Sequence, residues 1–444
     1  MNAKSTTLLS VARDALDKHL ASAARVRLGL SGGLDSVVLL HLLGRLQREN
    51  AFGLSAMHVH HGLSPDADAW AAHCQALCLQ IGVPCEVVRV TVDRRHPQGL
   101  EGAARIERYR ALSVPGADIL VTAHHQDDQA ETVLLALLRG GGMRAAAAMP
   151  GARGRSGMYH LRPLLDVPRS ELEAYAREHY LTWVDDESNF DAVFRRNALR
   201  HAVFPVLEKH FPDYRRRLAV AAASFAEAAA LLDQLAEQDA SFDAAGGLSC
   251  ERLAALGEAR ARNALAWFIR RAGVSVPPPR RLREALRQLL GAARQSQPAI
   301  SLGQASLRRY HDHIYVVPAV PTLGQARWIW RGETVLPLTG SPLQLKFEPM
   351  PGQGLKQAKL AGRVISVRLR QGGERLALRR GGPARSLKNL FQEAGVPPWW
   401  RSLWPLLWVD ETLVAVPGVG VHPDWQAHGD EAGLRILAEE GAAS

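Results

Sequence analysis

Six consecutive residues, Ser31-Gly32-Gly33-Leu34-Asp35-Ser36, hold the chemistry of an anion site. Two glycines let backbone amides close on a phosphate, and the serine hydroxyls can donate to it. The apolar run that follows predicts a helix, whose N-terminus adds unpaired N–H groups and a positive dipole end. Asp35 would repel a phosphate unless a divalent cation stood between them, so Asp35 is the candidate Mg2+ ligand. The plain alternative is a turn with a Ser or Asp cap, and placement between a strand and a helix tells against it. The Gly-Lys-Ser/Thr ending of a Walker loop, whose lysine serves the β and γ phosphates, is missing.

A second group of candidates lies further along the chain. Asp128 and Glu131 stand at i and i+3 of a predicted helix, so both carboxylates share one face of its first turn. Such a pair could bind an ammonium group, bind a metal or act as a base; a single acid there would more simply complement the helix dipole. Arg105 and Arg108 share a helical face, with Tyr109 one turn beyond Arg105, as either a solvated basic face or a source of positive charge for phosphate. Five histidines, His58, His60, His61, His124 and His125, invite a metal reading, but no acid accompanies them at the spacing of a zinc site.

The elements that must carry these residues are legible. Arg25–Leu30 alternates apolar with small or polar residues, and Val37–Arg48 shows a long apolar stripe ending in charge, which places the loop between a strand and a helix. Leu54–His60, Pro84–Val92 and Ala117–Ala123 predict further strands, and Asp66–Ile81, Leu100–Leu112 and Asp127–Arg139 predict helices. The alternation predicts an α/β fold: a doubly wound, mostly parallel sheet with its ligand beyond the carboxyl ends of the strands. From about Phe211 the composition turns to Ala-rich helices, Ala219–Ala240, Cys250–Ala272 and Pro279–Ala293, a second and helical domain. Pro318–Pro351 is rich in Pro and Gly and reads as a linker to a small α+β domain, where Val364–Arg370 and Glu374–Arg379 flank the turn Gly372-Gly373 as a hairpin. The expected domains are residues 1–213, 214–320 and 340–444.

A chain of 444 residues, 47% apolar and 22% charged, is ample for two or three cores. No stretch of about 18 uncharged apolar residues occurs, so no membrane partner is expected. Cys74, Cys78, Cys85 and Cys250 make no CxxC pair; a zinc knuckle, a disulfide framework and a paired redox site lack support, and a reducing cytoplasm fits. Of 54 basic residues 47 are arginine, against 44 acids, and the net charge of +10 suits a polyanion. Arg195 and Arg196 precede an apolar helix for which Asn197 is the expected cap. Arg280, Arg283, Arg287 and Arg294 line one helical face, either phosphate-facing or solvated. Trp399, Trp400, Trp404 and Trp408 either pack the small domain or stack on bases.

Ser31–Ser36 resembles the SGGxDS loop of the PP-loop (N-type) ATP pyrophosphatases. Further segments narrow the resemblance: His58–Ser64 (HVHHGLS), Gln98–Arg105 (QGLEGAAR) with Arg108-Tyr109, His124–Thr132 (HHQDDQAET) before Leu138-Arg139-Gly140, and Arg162–Leu165 (RPLL) leading to Asp185–Arg200 (DDESNFDAVFRRNALR). With Arg385–Gly395 (RSLKNLFQEAG) and Pro397–Pro405 (PPWWRSLWP), they resemble the tRNA(Ile)-lysidine synthetase family in its long, three-domain form. The stretch from about 215 to 320 matches only in general character.

That resemblance implies ATP and Mg2+ as cofactors, and L-lysine and a tRNA(Ile) with a CAU anticodon as partners. The reaction implied is ligation of lysine to C2 of the wobble cytidine through an adenylated cytidine, releasing pyrophosphate and AMP and changing codon reading from AUG to AUA. It assigns Ser31, Gly32, Gly33, Leu34, Asp35 and Ser36 to ATP, with backbone near His58 on adenine. Asp35, Arg105 and Asp127 become the catalytic candidates, Asp127 as metal ligand or general base. Asp128 and Glu131 go to lysine, and Arg195, Arg196, Arg385 and Lys388 to tRNA. The oligomeric state stays open, a homodimer included. The competing enzyme reading is PP-loop tRNA thiolation, which commonly needs a cysteine pair. A non-catalytic RNA-binding protein would not need Ser31–Ser36 intact beside Asp128 and Glu131.

Overall fold

The structure is a computed structural model. It describes residues 3–20, 24–49, 52–97, 99–155, 157–185, 195–293, 296, 298–319 and 326–440; Gln98, Arg294 and the middle of the 185–200 motif, residues 186–194, lie outside the described residues. The chain divides into two compact units, Met1–Gln234 and Leu235–Ser444.

In the first unit α1 (Ala3–Asp17), β1 (Arg25–Gly29), α2 (Leu34–Glu49), β2 (Gly53–His60), α3 (Ala67–Ile81), β3 (Cys85–Arg89), α4 (Gly99–Leu112), β4 (Ile119–Val121) and α5 (Gln126–Leu138) alternate as the pattern predicts. They are followed by α6 (Met143–Ala146), β5 (Ala152–Arg155), β6 (Met158–Leu161), α7 (Arg169–Glu178), α8 (Arg195–Ala198), α9 (Phe204–His210) and α10 (Tyr214–Asp239). The sheet order is β3-β2-β1-β4-β6-β5, parallel throughout except for the β5–β6 hairpin. Val26 and Leu28 of β1 share one face and a core with Val38, Leu39, Leu42 and Leu43 of α2, and Arg27 on the opposite face is buried too, so the central strand is covered on both faces. The Arg27 guanidinium donates to the carbonyls of Leu112 and Val114, at and just beyond the end of α4, where free carbonyls welcome a cation.

Chain order reverses between β1 and β4. The crevice of a doubly wound sheet opens at such a point, here flanked by the loop after β1 and by His124-His125 after β4. The helix α10 is long and apolar enough to cross a membrane by length and composition, a property carried by its alanines although Glu227 and Asp233 interrupt it. Asp233 pairs with Arg144 at 2.6 Å.

The second unit departs from the sequence reading in four places. The expected helix 250–272 is two helices, Cys250–Ala255 and Glu258–Arg271, with Gly257 extended between them as N-cap. The helical region also carries a four-stranded antiparallel sheet from Leu248–Ser249, Ala299–Ser301, Ala305–Tyr310 and His313–Pro318. The expected linker contains three strands, Arg327–Trp330, Val335–Pro337 and Leu343–Pro349; the last pairs along its whole length with Gly433–Glu440. Finally, Gly372 and Gly373 do turn, at φ of 104° and 87°, with the Glu374 carboxylate accepting from the Gly372 amide, but no hairpin flanks them. Ile365–Leu369 puts Ile365, Val367 and Leu369 on one face and Ser366 and Arg368 on the other, and it lies between Arg327–Trp330 and Pro405–Val409 as an inner strand, while Arg375–Leu376 pairs with Arg385–Ser386. Trp399 packs with Tyr310 and Val317, and Trp400, Trp404 and Trp408 pack on the C-terminal cores, Trp408 beneath the Arg368 guanidinium.

Candidate active site

The loop after β1 is a closed turn. At Gly32 φ is +88°, and a Cβ would lie 2.9 Å from Val184 Cγ2 and 3.0 Å from Cys74 Sγ, so conformation and space both require glycine. Gly33 differs: a Cβ there would meet nothing nearer than Ser31 Oγ at 3.6 Å, and packing gives no reason for glycine. Ser36 Oγ donates to the Gly33 carbonyl at 2.9 Å and lies 3.0 Å from Ser31 Oγ, which holds both hydroxyls at the mouth of α2. His58 is buried behind the loop, and its Nδ1–H donates to the Leu30 carbonyl at 3.0 Å. Burial lowers its pKa, so this ring is a neutral strut under the loop.

Asp35 opens α2 and faces His125, the N-cap of α5. His125 Nε2 lies 3.5 Å from Asp35 Oδ2 and 3.4 Å from Asp128 Oδ2, and its Nδ1 lies 3.8 Å from Asp127 Oδ1. Burial opposes charge on this ring, but Asp128, Asp35 and Asp127 outweigh it and push its pKa up to about 9. These carboxylates thus favour the charged form of the ring. The other Asp35 oxygen, Oδ1, is enclosed yet has no hydrogen-bond partner; the nearest cation is Arg169 Nε at 3.7 Å. An orphaned carboxylate oxygen beside a phosphate loop suits a hard cation. Among the described residues no three His, Cys, Asp or Glu side chains could hold a metal by themselves, so Mg2+ here would draw its other ligands from phosphate and water.

Asp128 and Glu131 share a face of α5, and a cation already lies across them. Arg200 Nε donates to Glu131 Oε1, while its Nη2 stands 3.2 Å from both Glu131 Oε2 and Asp128 Oδ1. Burial pushes both carboxyls up. For Asp128 the neighbouring His125, His124 and Arg200 win and hold it below the usual range; Glu131, with no exposed surface, stays raised against the pull of Arg200. Asp127 is occupied differently: Arg215 Nε reaches its Oδ2 at 2.5 Å and the Arg169 amide donates to its Oδ1 at 3.2 Å. On the far side, Arg105 stacks over Tyr109 at 5.1 Å, and Tyr109 leans on His160 of β6 at 5.6 Å, which brings Arg105 to the same end of the sheet.

Three family models match along the chain: a PP-loop domain over residues 5–207, a TilS substrate binding domain over 248–315 and a TilS substrate C-terminal domain over 365–438. The chain is 44% identical to a tRNA(Ile)-lysidine synthase of Chromobacterium violaceum over 92% of its length and 95% of that protein, and 42% identical to one of Alkalilimnicola ehrlichii over 96% and 97%. The chain belongs to the tRNA(Ile)-lysidine synthase family. It is an ATP-utilising ligase of that kind, which forms lysidine on tRNA. Among solved structures, a U34-tRNA thiolase, NcsA, of Methanococcus maripaludis is 20% identical, with a TM-score of 0.44 over 50% of this chain and 80% of that one.

The other sequence-predicted residues are more dispersed. Arg196 lies in α8 close enough to draw on Glu131, whereas Arg195 is exposed; Asn197 is the third residue of α8 and buried, so it does not cap that helix. Arg385 is held by Glu393, and Lys388 is exposed on the helix Leu387–Glu393. Of the middle row, Arg283 pairs with Glu258 and Arg287 with Glu284. Arg200, Arg215 and Arg169 were missed by sequence reasoning. Arg200 closes the motif Asp185–Arg200, but nothing in its spacing points to carboxylates 69 and 72 residues earlier.

Proposed function

We propose that the chain joins L-lysine to C2 of the wobble cytidine of a tRNA(Ile) with a CAU anticodon, in the cytoplasm. The observation that carries this reading is the Arg200 guanidinium across Asp128 and Glu131: a buried carboxylate pair that takes a cation, in the same crevice as the phosphate loop. The C2 carbonyl oxygen of cytidine attacks the α-phosphorus of ATP, and the α–β phosphate bond breaks to release pyrophosphate. The lysine ε-amine then attacks C2, the C2–O bond breaks, AMP leaves with that oxygen, and an amine proton passes to a base.

The backbone and hydroxyls of Ser31–Ser36 receive the pyrophosphate, with Arg105 adding positive charge as it develops. The backbone near His58 meets adenine. Mg2+, when bound, would be held by Asp35 and would draw charge off the phosphates. Asp128 and Glu131 take the lysine ammonium in place of part of the Arg200 contact. Asp127 is the candidate to take the amine proton or to add a metal ligand, with Arg215 as its partner in the free protein. Arg195, Arg196, Arg385 and Lys388 contact tRNA.

The test is mass spectrometry of nucleosides from unmodified tRNA(Ile) incubated with protein, ATP and lysine, which should show a lysine adduct of cytidine with one AMP released per adduct. Asp128→Asn and Glu131→Gln should raise the lysine KM while tRNA adenylation without lysine survives. Loss of adenylation with unchanged lysine dependence would move the pair to ATP or metal.

A further inference from the structure

Just beyond β4, Thr122 lies between two histidines. Its Oγ1 is 2.9 Å from His124 Nδ1 and 2.8 Å from His160 Nε2. His160 Nδ1 is in turn 3.1 Å from Arg162 Nη2, and Arg162 is anchored by donating Nη1 to the Pro150 carbonyl at 2.8 Å. The parallel pairing of β4 with β6 sets this row, since Leu120 stands opposite His160.

The place of every proton in the row follows from the donor inventory. A guanidinium only donates, so His160 Nδ1 accepts and carries no proton. A second proton on His160 would set N–H against N–H. Its single proton is therefore on Nε2 and goes to Thr122 Oγ1. Thr122 is buried, and the two histidine nitrogens are the only hydrogen-bond partners of its hydroxyl among the described residues. Its own proton must then go to His124 Nδ1, because a buried hydroxyl without an acceptor is costly. That leaves His124 with its proton on Nε2. Burial, aided by Arg162 and Arg105 and opposed by Asp128, lowers the His124 pKa to about 3, so the ring is neutral. Nε2 is not an enclosed orphan and makes no hydrogen bond within the described residues; the charges around the ring, Asp128 and Arg105, are those of the crevice.

We propose that Thr122, His160 and Arg162 are positioning residues that lock His124 in its neutral Nε2–H form, making it an uncharged donor to a phosphate oxygen of the nucleotide being transferred. The proposal rests on reading the crevice as the ATP and lysine site. A neutral ring is what this place requires. A second imidazolium beside Asp128 would add to the charge that His125 already places there and compete further with the incoming ammonium.

Nitrogen-15 NMR of protein labelled in histidine, with His124→Gln to assign the ring, reads the tautomer directly at neutral pH. The wild type should show His124 with Nδ1 as acceptor and the proton on Nε2; a proton on Nδ1, or an exchanging mixture, would overturn the lock. Thr122→Val removes only the hydroxyl and should lose the single tautomer. It should also lower kcat on the order of 10- to 100-fold, the range expected when the group orienting a functional imidazole is removed, with the KM for lysine little changed. Thr122→Ser should restore both. If lysidine forms and Thr122→Val turns over like the wild type, the donor role alone fails. If the tautomer is locked but no lysidine forms, the reading of the crevice fails and takes the donor role with it.

Discussion

Arg200 in the first unit and Arg385 in the second each grip a carboxylate, but in opposite surroundings. The Glu131 that Arg200 holds has no exposed surface, whereas the Glu393 held by Arg385 is 58% exposed. Other arginines show the same two settings, although buried Arg309 of the second unit and exposed Arg25 and Arg89 of the first show that setting does not follow the unit. Arg27, Arg162 and Arg215 donate into fixed acceptors of other elements of the first unit, while Arg283, Arg287 and Arg368 make exposed ion pairs in the second. An exposed pair is worth about 0–1 kcal/mol and can be exchanged for a phosphate at little cost. A buried carboxylate whose cation is removed is left uncompensated, at about 3–5 kcal/mol. One residue type thus builds a preset site around α5 and an exchangeable pair at Arg385.

The largest effect should come from the phosphate end of the crevice. Asp35→Asn keeps the shape of the side chain and removes the charge of an oxygen that makes no hydrogen bond among the described residues. AMP release should fall on the order of 100-fold or more while the thermal midpoint holds. Near-normal AMP release would show that the first unit does not need this charge, and the comparison would lose its strongest member.

Next comes Arg200→Gln. Burial already raises the Glu131 pKa, and Arg200 is what holds it down, so the substitution should raise it further. A carboxyl with a raised folded pKa contributes stability below its unfolded value of about 4.3 and loses it as pH rises through the folded value. The variant should match the wild type in acid and fall behind as pH rises toward neutrality, by about 3 kcal/mol. Thermal melts across pH check this. A deficit independent of pH would mean that Arg200 matters by packing and not by charge.

How much of this was legible depended on range along the chain. The strand–loop–helix around Ser31–Ser36 follows from local patterning, and the shared face of Asp128 and Glu131 from helical spacing alone. The partners that define their state were not legible: Arg200 and Arg215 meet α5 across 69 and 88 residues, through a turn of the fold that no periodicity reports. The misread hairpin at Gly372-Gly373 has the same origin. The glycines do turn the chain, but both edges of Ile365–Leu369 are taken by strands distant in sequence. The Trp-rich segment near the C-terminus carried the family resemblance, yet those side chains pack cores.

The smallest effects should come from the surface of the second unit, where they can still separate two kinds of basic residue. Lys388 and Arg379 are exposed and have no acid partner among the described residues, whereas Arg385 is bound to Glu393. A free cation that meets a phosphate releases a counterion, so Lys388→Ala should reduce the salt slope of tRNA binding by roughly 0.7 to 0.9. Arg385→Ala should reduce it by less, because its charge is already balanced in the free protein and contact with phosphate must first break the pair with Glu393. Folding stability should change in neither variant by more than about 0.5 kcal/mol. Filter binding over a salt series compares the two. If Arg385→Ala lowers the slope as far as Lys388→Ala, the pair opens fully on the RNA, and adding Glu393→Ala to the wild type should then tighten binding. If neither variant moves the slope, this face does not hold tRNA, and its arginines serve only the acids they touch.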